Sequence, residues 1–301
     1  YEINIGDWSS DVCSSDLSQF TWLYFFILAL FSLLVGSFLN VLIHRLPIML
    51  ERSWQQEYSD YFSTEDQAIT EEKEPYNLFL PRSACPYCGH QISALENIPL
   101  LSWLCLRGRC RSCHKPISIR YPAVELLTAV ASVAVAAYFP PGIPLAGALL
   151  LTWILIALTF IDFDKMLLPD QLTLPLLWAG LIINISEQYV SLTDAVLGAA
   201  AGYMVLWSLY WTFKLLTGKE GMGYGDFKLL AALGAWLGWQ SLPLILILSS
   251  CVGAILGIAL IVANRQQHGK PMPFGPYLAI AGWIALLWGH QITDWYLGLI
   301  G

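Results

Sequence analysis

Two sets of residues in this chain are of types and spacings that do chemistry. The first is Cys85-Pro-Tyr-Cys88 and Cys110-Arg-Ser-Cys113, two Cys-x-x-Cys pairs with 21 residues between them. Four thiolates so arranged close a tetrahedral zinc site, and a four-cysteine set leaves no open coordination position, so the metal folds the segment rather than catalysing. The gap between the pairs is slightly longer than the usual range for such sites. The competing reading is redox pairs or unligated thiols, and no thioredoxin-like pattern surrounds either pair. His90 and His114 stand beside the pairs but are surplus to four cysteines. Cys105 lies between the pairs, and Cys251 sits in an apolar stretch as a small core residue.

The second set is acidic. One apolar stretch ends Ile161-Asp162-Phe163-Asp164-Lys165 and is followed by Pro169-Asp170, while Gly223-Tyr224-Gly225-Asp226 opens a later one. An ionised side chain at the edge of a bilayer is expensive, so such residues face a cavity and have a partner. Asp162 and Asp226 are the natural pair. Of two close carboxyls one keeps its proton while the other acts as base, an arrangement that activates water for peptide hydrolysis without a metal. Gly223 and Gly225 support the pair, because backbone without Cβ allows tight turns and close approach by an extended peptide. Asp164 competes with Asp162, but positions two apart on a helix point about 200° apart, and Asp162 lies nearer the apolar interior. Asp164 and Asp170 are read as supporting or interfacial, with Asp170 paired to Lys165 or Lys228.

The elements that must position these residues are membrane helices. Of 301 residues, 56% are hydrophobic and 12% charged, against roughly 25% charged in an ordinary soluble domain. Apolar stretches of near-spanning length lie near 22–43, 122–139, 145–161, 172–186, 194–216, 227–240, 242–263 and 276–292, the fourth and sixth being short. With eight spans and both termini outside, all fifteen Lys and Arg fall on one side, the side that cytoplasmic flanks favour. This threading makes the 44–120 loop cytoplasmic, where thiols stay reduced, and places both acids toward the cytoplasmic face. The fold expected is an all-α polytopic membrane protein of about eight transmembrane helices with a zinc-binding cytoplasmic loop.

The parts divide as follows: a first transmembrane helix at 22–43, the loop at 44–120, and a seven-helix membrane domain at 121–293. The loop opens with an acidic stretch from Met49 to about Pro75 that reads as solvated. Residues 1–17 are polar, with neither the basic start nor the apolar core of a signal peptide, and read as a non-native or disordered leader. The net charge of −7 identifies no partner, and no nucleic-acid partner is expected; membrane lipid is.

Beyond the two chemical sets, the chain carries Gly36-Ser-Phe-Leu-Asn-Val-Leu-Ile-His44-Arg-Leu-Pro47, Ile117-Ser-Ile-Arg120-Tyr-Pro-Ala-Val-Glu125-Leu, Leu168-Pro-Asp170 and Pro273-Phe-Gly-Pro-Tyr277. Together with the cysteine pairs, Asp162 and Gly223-Tyr-Gly-Asp226, these resemble the type IV prepilin peptidase family over nearly everything after about Phe31. The resemblance implies a bacterial inner-membrane protein that cleaves a short basic leader from prepilins and from type II secretion pseudopilins. It implies methylation of the new amino terminus with S-adenosylmethionine, and a catalytic pair at Asp162 and Asp226. No glycine-rich nucleotide fingerprint locates the methyl-donor site.

Readings from other classes make different demands. A proton-coupled transporter would use the same aspartates as a relay and needs acids deep in the spans and toward both faces. A zinc-organised scaffold would tolerate loss of both. A presenilin-like protease would need a Tyr before the first aspartate, where Ile161 stands.

Overall fold

A computed structural model describes residues 10–62, 76–93, 95–219, 221–262 and 272–300. Residues 1–9, the first half of the expected leader, lie outside the described residues, as do 63–75 of the acidic stretch. Among the described residues the chain is helical, with no strand beyond two isolated bridges, Ala84 to Gln91 and Arg109 to Pro116.

The first helix, α1 (Ser10–Phe62), is followed by a short α2 (Leu101–Cys105) within the cysteine-bearing segment. Then come α3 (Arg120–Tyr138), α4 (Ile143–Lys165), α5 (Asp170–Ile183), α6 (Leu192–Thr217), α7 (Tyr224–Leu237), α8 (Leu242–Val262) and α9 (Gly275–Ile300). The helix that contains the apolar stretch 22–43 runs on past it to Phe62. Its buried stripe explains why: Leu39, Ile43, Leu46 and Leu50 recur at helical spacing and pack with Val124, Ala157 and Ile161. The apolar face therefore outlasts the apolar composition, and only the exposed face turns charged.

Among the described residues, five helices are long and apolar enough to cross a membrane by length and composition: Thr21–Tyr61 of α1, then α3, α4, α6 and the stretch Trp239–Ala259. This is the pattern of a multi-pass membrane protein. The count of eight is not reached by this measure. The two short stretches form α5 and α7, of 14 residues each, about 21 Å long against a ~30 Å hydrocarbon layer. α7 is packed inside the bundle, whereas α5 buries one face, through Thr173, Leu176 and Gly180, and exposes Trp178 and Ile182. Trp236 of α7 is fully buried and donates from Nε1 to the Leu176 carbonyl of α5 at 2.8 Å.

Contacts sort the helix ends into two groups. At one end meet the start of α3 and the end of α4, through Arg120 and Asp164, and the starts of α5 and α7, through Asp170 and Lys228. The start of α9 joins them through Gly275 and Asp162. At the other end Asn184, after α5, donates to the Ala235 carbonyl near the end of α7 at 2.9 Å, and Tyr189 donates to Pro144 at the start of α4. Helices α3, α4 and α5, consecutive in the chain, thus run in alternate directions, while α5 and α7, which pack together, run the same way; the acidic residues singled out above share one end with the cysteine segment.

Candidate active site

Asp162 sits in the last turn of α4, just before the chain leaves the helix at Met166 in the left-handed region, with φ of 51°. Asp226 sits in the first turn of α7. Both are buried, 5% and 6% exposed, in a bundle end otherwise rich in apolar side chains. Leu168 lies against both sites: a Cβ at Gly225, beside Asp226, would come 2.7 Å from its Cβ, and one at Gly275, which donates to Asp162, 3.0 Å from its δ carbons.

Each carboxylate takes a backbone N–H at its Oδ2. For Asp226 the donor is local: Gly223 N donates to Oδ2 at 3.3 Å while Asp226 N donates to the Gly223 carbonyl at 3.3 Å, a reciprocal cap at the start of α7. For Asp162 the donor is Gly275, 113 residues away at the start of α9, at 3.0 Å. Neither Oδ1 accepts a hydrogen bond from the described residues.

The two glycines expected to support the pair do so differently. A Cβ at Gly225 would lie 2.7 Å from Cβ of Leu168, so the close approach there requires glycine. At Gly223 the nearest atom to such a Cβ is 3.9 Å away and φ is −85°. Its contribution is therefore the N–H and the open space above it.

The neighbouring charges are all engaged elsewhere. Asp164 takes a bidentate pair from Arg120, at 2.7 and 2.6 Å, and so turns away from Asp162's partners. Asp170 accepts from Lys228 at 2.6 and 2.7 Å, and Lys165 reaches Glu51 of α1 at 2.7 Å.

The cysteine segment lies at the same end. Sγ atoms of Cys85, Cys88, Cys110 and Cys113 all fall within 4.8 Å of one another, a set that could hold a metal ion. Two knuckles of one design bring them together. In the first, Cys85 N donates to the His90 carbonyl and Gly89 N to the Cys85 carbonyl. In the second, Cys110 N donates to Lys115 and His114 N to Cys110, all at 2.9–3.0 Å. Gly89 and His114 occupy equivalent left-handed positions, with φ of 71° and 57°. The N–H groups of Tyr87 and Cys88 pull the Cys85 thiol down to about 6. At Cys113 the Lys115 N–H acts the same way, but burial and the neighbouring sulfurs outweigh it and hold that thiol up at about 11. Crowded sulfurs at odds over protons are what a shared cation reconciles.

His90 and His114 take no part in the sulfur cluster. His90 instead faces Glu96 at 3.3 Å, and Arg111 of the second knuckle approaches the same carboxylate at 3.6 Å. The Ser93 N–H, then its hydroxyl and His90, hold the Glu96 carboxyl below the usual range.

Residues that motif reasoning left without a role join this segment to the bundle. Buried Glu125 of α3 accepts from Leu100 N, just before α2, at 2.9 Å. Buried Arg45 of α1 donates to the carbonyls of Asn77 and Pro81 at 2.9 and 2.6 Å. A charged side chain in a short apolar string, as Arg45 and Glu125 both are, was the available signal.

Residues 30–139 match the family model described as the bacterial peptidase A24 N-terminal domain, and residues 149–258 match the one described as the type IV leader peptidase family. The chain is 71% identical over 276 residues to a prepilin leader peptidase/N-methyltransferase of Aeromonas hydrophila, covering 92% of this chain and 94% of that protein. It is 58% identical over 265 residues to the protein so named in Stutzerimonas stutzeri, covering 88% and 91% of the two. With the one from Legionella pneumophila it shares 50% identity over 280 residues, covering 93% and 96%. No solved structure matches.

Proposed function

This chain belongs to the type IV leader peptidase family, and from that premise we propose that it is a membrane aspartic endopeptidase acting through Asp162 and Asp226. Its substrates are type IV prepilins and type II secretion pseudopilins, from which it removes the leader and whose new amino terminus it methylates with S-adenosylmethionine. One observation supports the dyad above all. Two carboxyls from helices far apart in sequence meet on either side of Leu168 at one bundle end, each with one oxygen fixed by a backbone N–H and the other accepting no hydrogen bond from the described residues.

In the first step the ionised aspartate takes a proton from water, the oxygen forms a bond to the scissile carbonyl carbon, and the protonated aspartate hydrogen-bonds to the developing oxyanion. In the second the C–N bond breaks and the amine leaves with a proton from the acid. The open side of Gly223 is where an extended peptide can approach.

Zinc is the metal proposed for Cys85, Cys88, Cys110 and Cys113. A tetrahedron with Zn–S bonds of about 2.3 Å has sulfur–sulfur edges of about 3.8 Å, and the Cys85–Cys113 and Cys88–Cys110 separations are 3.8 and 4.0 Å. Bound there, zinc supplies no catalysis and holds two knuckles together. S-adenosylmethionine enters as methyl donor, and no residue is assigned to it.

The setting proposed is the bacterial inner membrane, with eight crossings and the dyad near the cytoplasmic face. Its support is the confinement of all fifteen basic residues to one side under that threading. A transporter reading is disfavoured by the buried carboxylates. Among the described residues these are Glu125, Asp162 and Asp226, and all three lie toward the same bundle end.

The test is incubation of the purified chain, and of Asp162→Asn and Asp226→Asn, with a prepilin and S-adenosylmethionine, reading the substrate's amino terminus by mass spectrometry. Leader loss with the parent chain alone supports the dyad, and an added methyl group supports the second activity. Cleavage surviving either substitution overturns the mechanism.

A further inference from the structure

The string Pro273-Phe274-Gly275-Pro276-Tyr277 has no part in the chemistry described above, yet it touches Asp162. The first N–H groups of a helix lack an i−4 carbonyl within it, and at the start of α9 those of residues 275 to 277 can be traced. Tyr277 N and Leu278 N both go to the Phe274 carbonyl, at 3.1 and 3.2 Å. Pro276 has no N–H. The Gly275 N–H remains, and it goes to Oδ2 of Asp162 at 3.0 Å. Asp162 is thus the N-terminal cap of a helix from another part of the chain.

The space around Gly275 is as telling as the bond. A Cβ there would lie 2.6 Å from Asp162 Oδ2 and 3.0 Å from both δ carbons of Leu168. Leu168 is also the residue that meets Gly225, one position before Asp226. One leucine side chain therefore floors both halves of the pair, and glycine on either side lets the two helix starts close onto it. The atoms a methyl group at 275 would strike are side-chain ends rather than backbone. The fold can accommodate the methyl group, but the carboxylate oxygen has to retreat by the better part of an ångström.

We propose that Gly275 is the positioning residue for Asp162, its N–H fixing Oδ2 and its missing side chain leaving the carboxylate room to sit there, so that Oδ1 alone is presented to water. This rests on the reading of Asp162 and Asp226 as the catalytic pair, since Gly275 acts only through Asp162.

The test compares the full-length parent chain in lipid nanodiscs with Gly275→Ala, Gly275→Ala/Leu168→Ala and Asp162→Asn, using a purified prepilin as substrate. Gly275→Ala is expected to lower kcat for leader cleavage by roughly 100-fold, the loss that a misplacement of about 1 Å produces, with KM, bound metal and thermal unfolding unchanged. The double variant, which relieves the contact with Leu168 but not that with Asp162, is expected to stay as slow. A kcat within threefold of the parent overturns the proposal, and so does recovery in the double variant, which would place the conflict on Leu168. Asp162→Asn separates the two readings: if it cleaves normally, the dyad has failed independently of Gly275.

A measurement on the unsubstituted backbone covers the case in which Gly275→Ala does not fold. Phe274-Gly275 is the only Phe-Gly pair in the sequence, so [13C-carbonyl]Phe with [15N]Gly isolates one amide. Its proton resonance is expected downfield in the parent chain and shifted upfield in Asp162→Asn. An amide indifferent to residue 162 overturns the proposal.

Discussion

The paired aspartates and the four cysteines lie at the same end of the molecule but are held in opposite ways. Asp162 and Asp226 are buried among packed helices, and their anchoring N–H groups come from helix starts that the bundle itself brings together. The cysteines stand on two short turns joined by few regular elements, with Cys88 exposed and Cys110 the only buried member. The helix packing fixes the carboxyl geometry whether or not anything binds. The cysteine segment is small and has little core of its own, so a cation held by the four sulfurs would steady it. Carboxyl substitutions should therefore remove chemistry and spare structure, while loss of the metal should do the reverse.

The largest effect tests the first half of that contrast. Asp162→Asn and Asp226→Asn should each lower leader cleavage by about 10⁴-fold, the upper range for a lost acid or base. Bound metal should be unchanged and thermal unfolding shifted little, since Asn can still accept the glycine N–H. Steady-state cleavage assays, metal analysis and a melting curve on the same preparations check it. A variant that also lost its metal would break the separation between the two regions.

Metal removal tests the other half. Stripping the protein with a strong chelator, or substituting Cys85→Ser, should loosen residues 84–117 in hydrogen exchange while α4 and α7 keep their protection, and should reduce cleavage by about tenfold rather than abolish it. Acid should do the same as the chelator. Protons compete with the cation for thiolate sulfur, so metal content should fall as pH is lowered from neutral. Metal content after dialysis across pH 5 to 8 reads this directly, and retention undiminished at the acid end would contradict it.

How much of this was open to the sequence follows the same division. That the four cysteines cluster is legible because they come in local pairs, and the two aspartates stand out because each sits where an apolar stretch begins or ends. The geometry between distant parts was not. Nothing in the spacing says that α9 is capped by a residue 113 positions earlier. Nor does it say that Arg120 rather than Lys165 takes Asp164, because partners across a bundle are chosen by helix packing. That the first helix runs on to Phe62 is hidden from average hydropathy, which falls after residue 43, while the buried stripe through Leu46 and Leu50 persists. Periodicity, rather than the mean, carries that information.

The smallest effects ask whether the two regions communicate. Each aspartate stands two residues from one end of an ion pair. Asp164 pairs with Arg120, which follows the cysteine segment directly, and Lys228 pairs with Asp170 inside the bundle. Both pairs are partly exposed, so Arg120→Ala and Lys228→Ala should each cost no more than about 1 kcal/mol of stability. Their effects on cleavage should be only a few-fold, larger for Arg120→Ala. The informative quantity is the interaction with metal removal, because perturbations along one physical chain of contacts are not additive whereas independent ones are. If the cysteine segment steadies α4 through Arg120, stripping the metal from Arg120→Ala should slow cleavage little further. The same treatment of Lys228→Ala should give the full loss seen in the parent chain. Equal further losses in both would mean that the segment reaches the dyad by another route, such as the contacts of Glu125 with Leu100 or of Arg45 with Asn77 and Pro81.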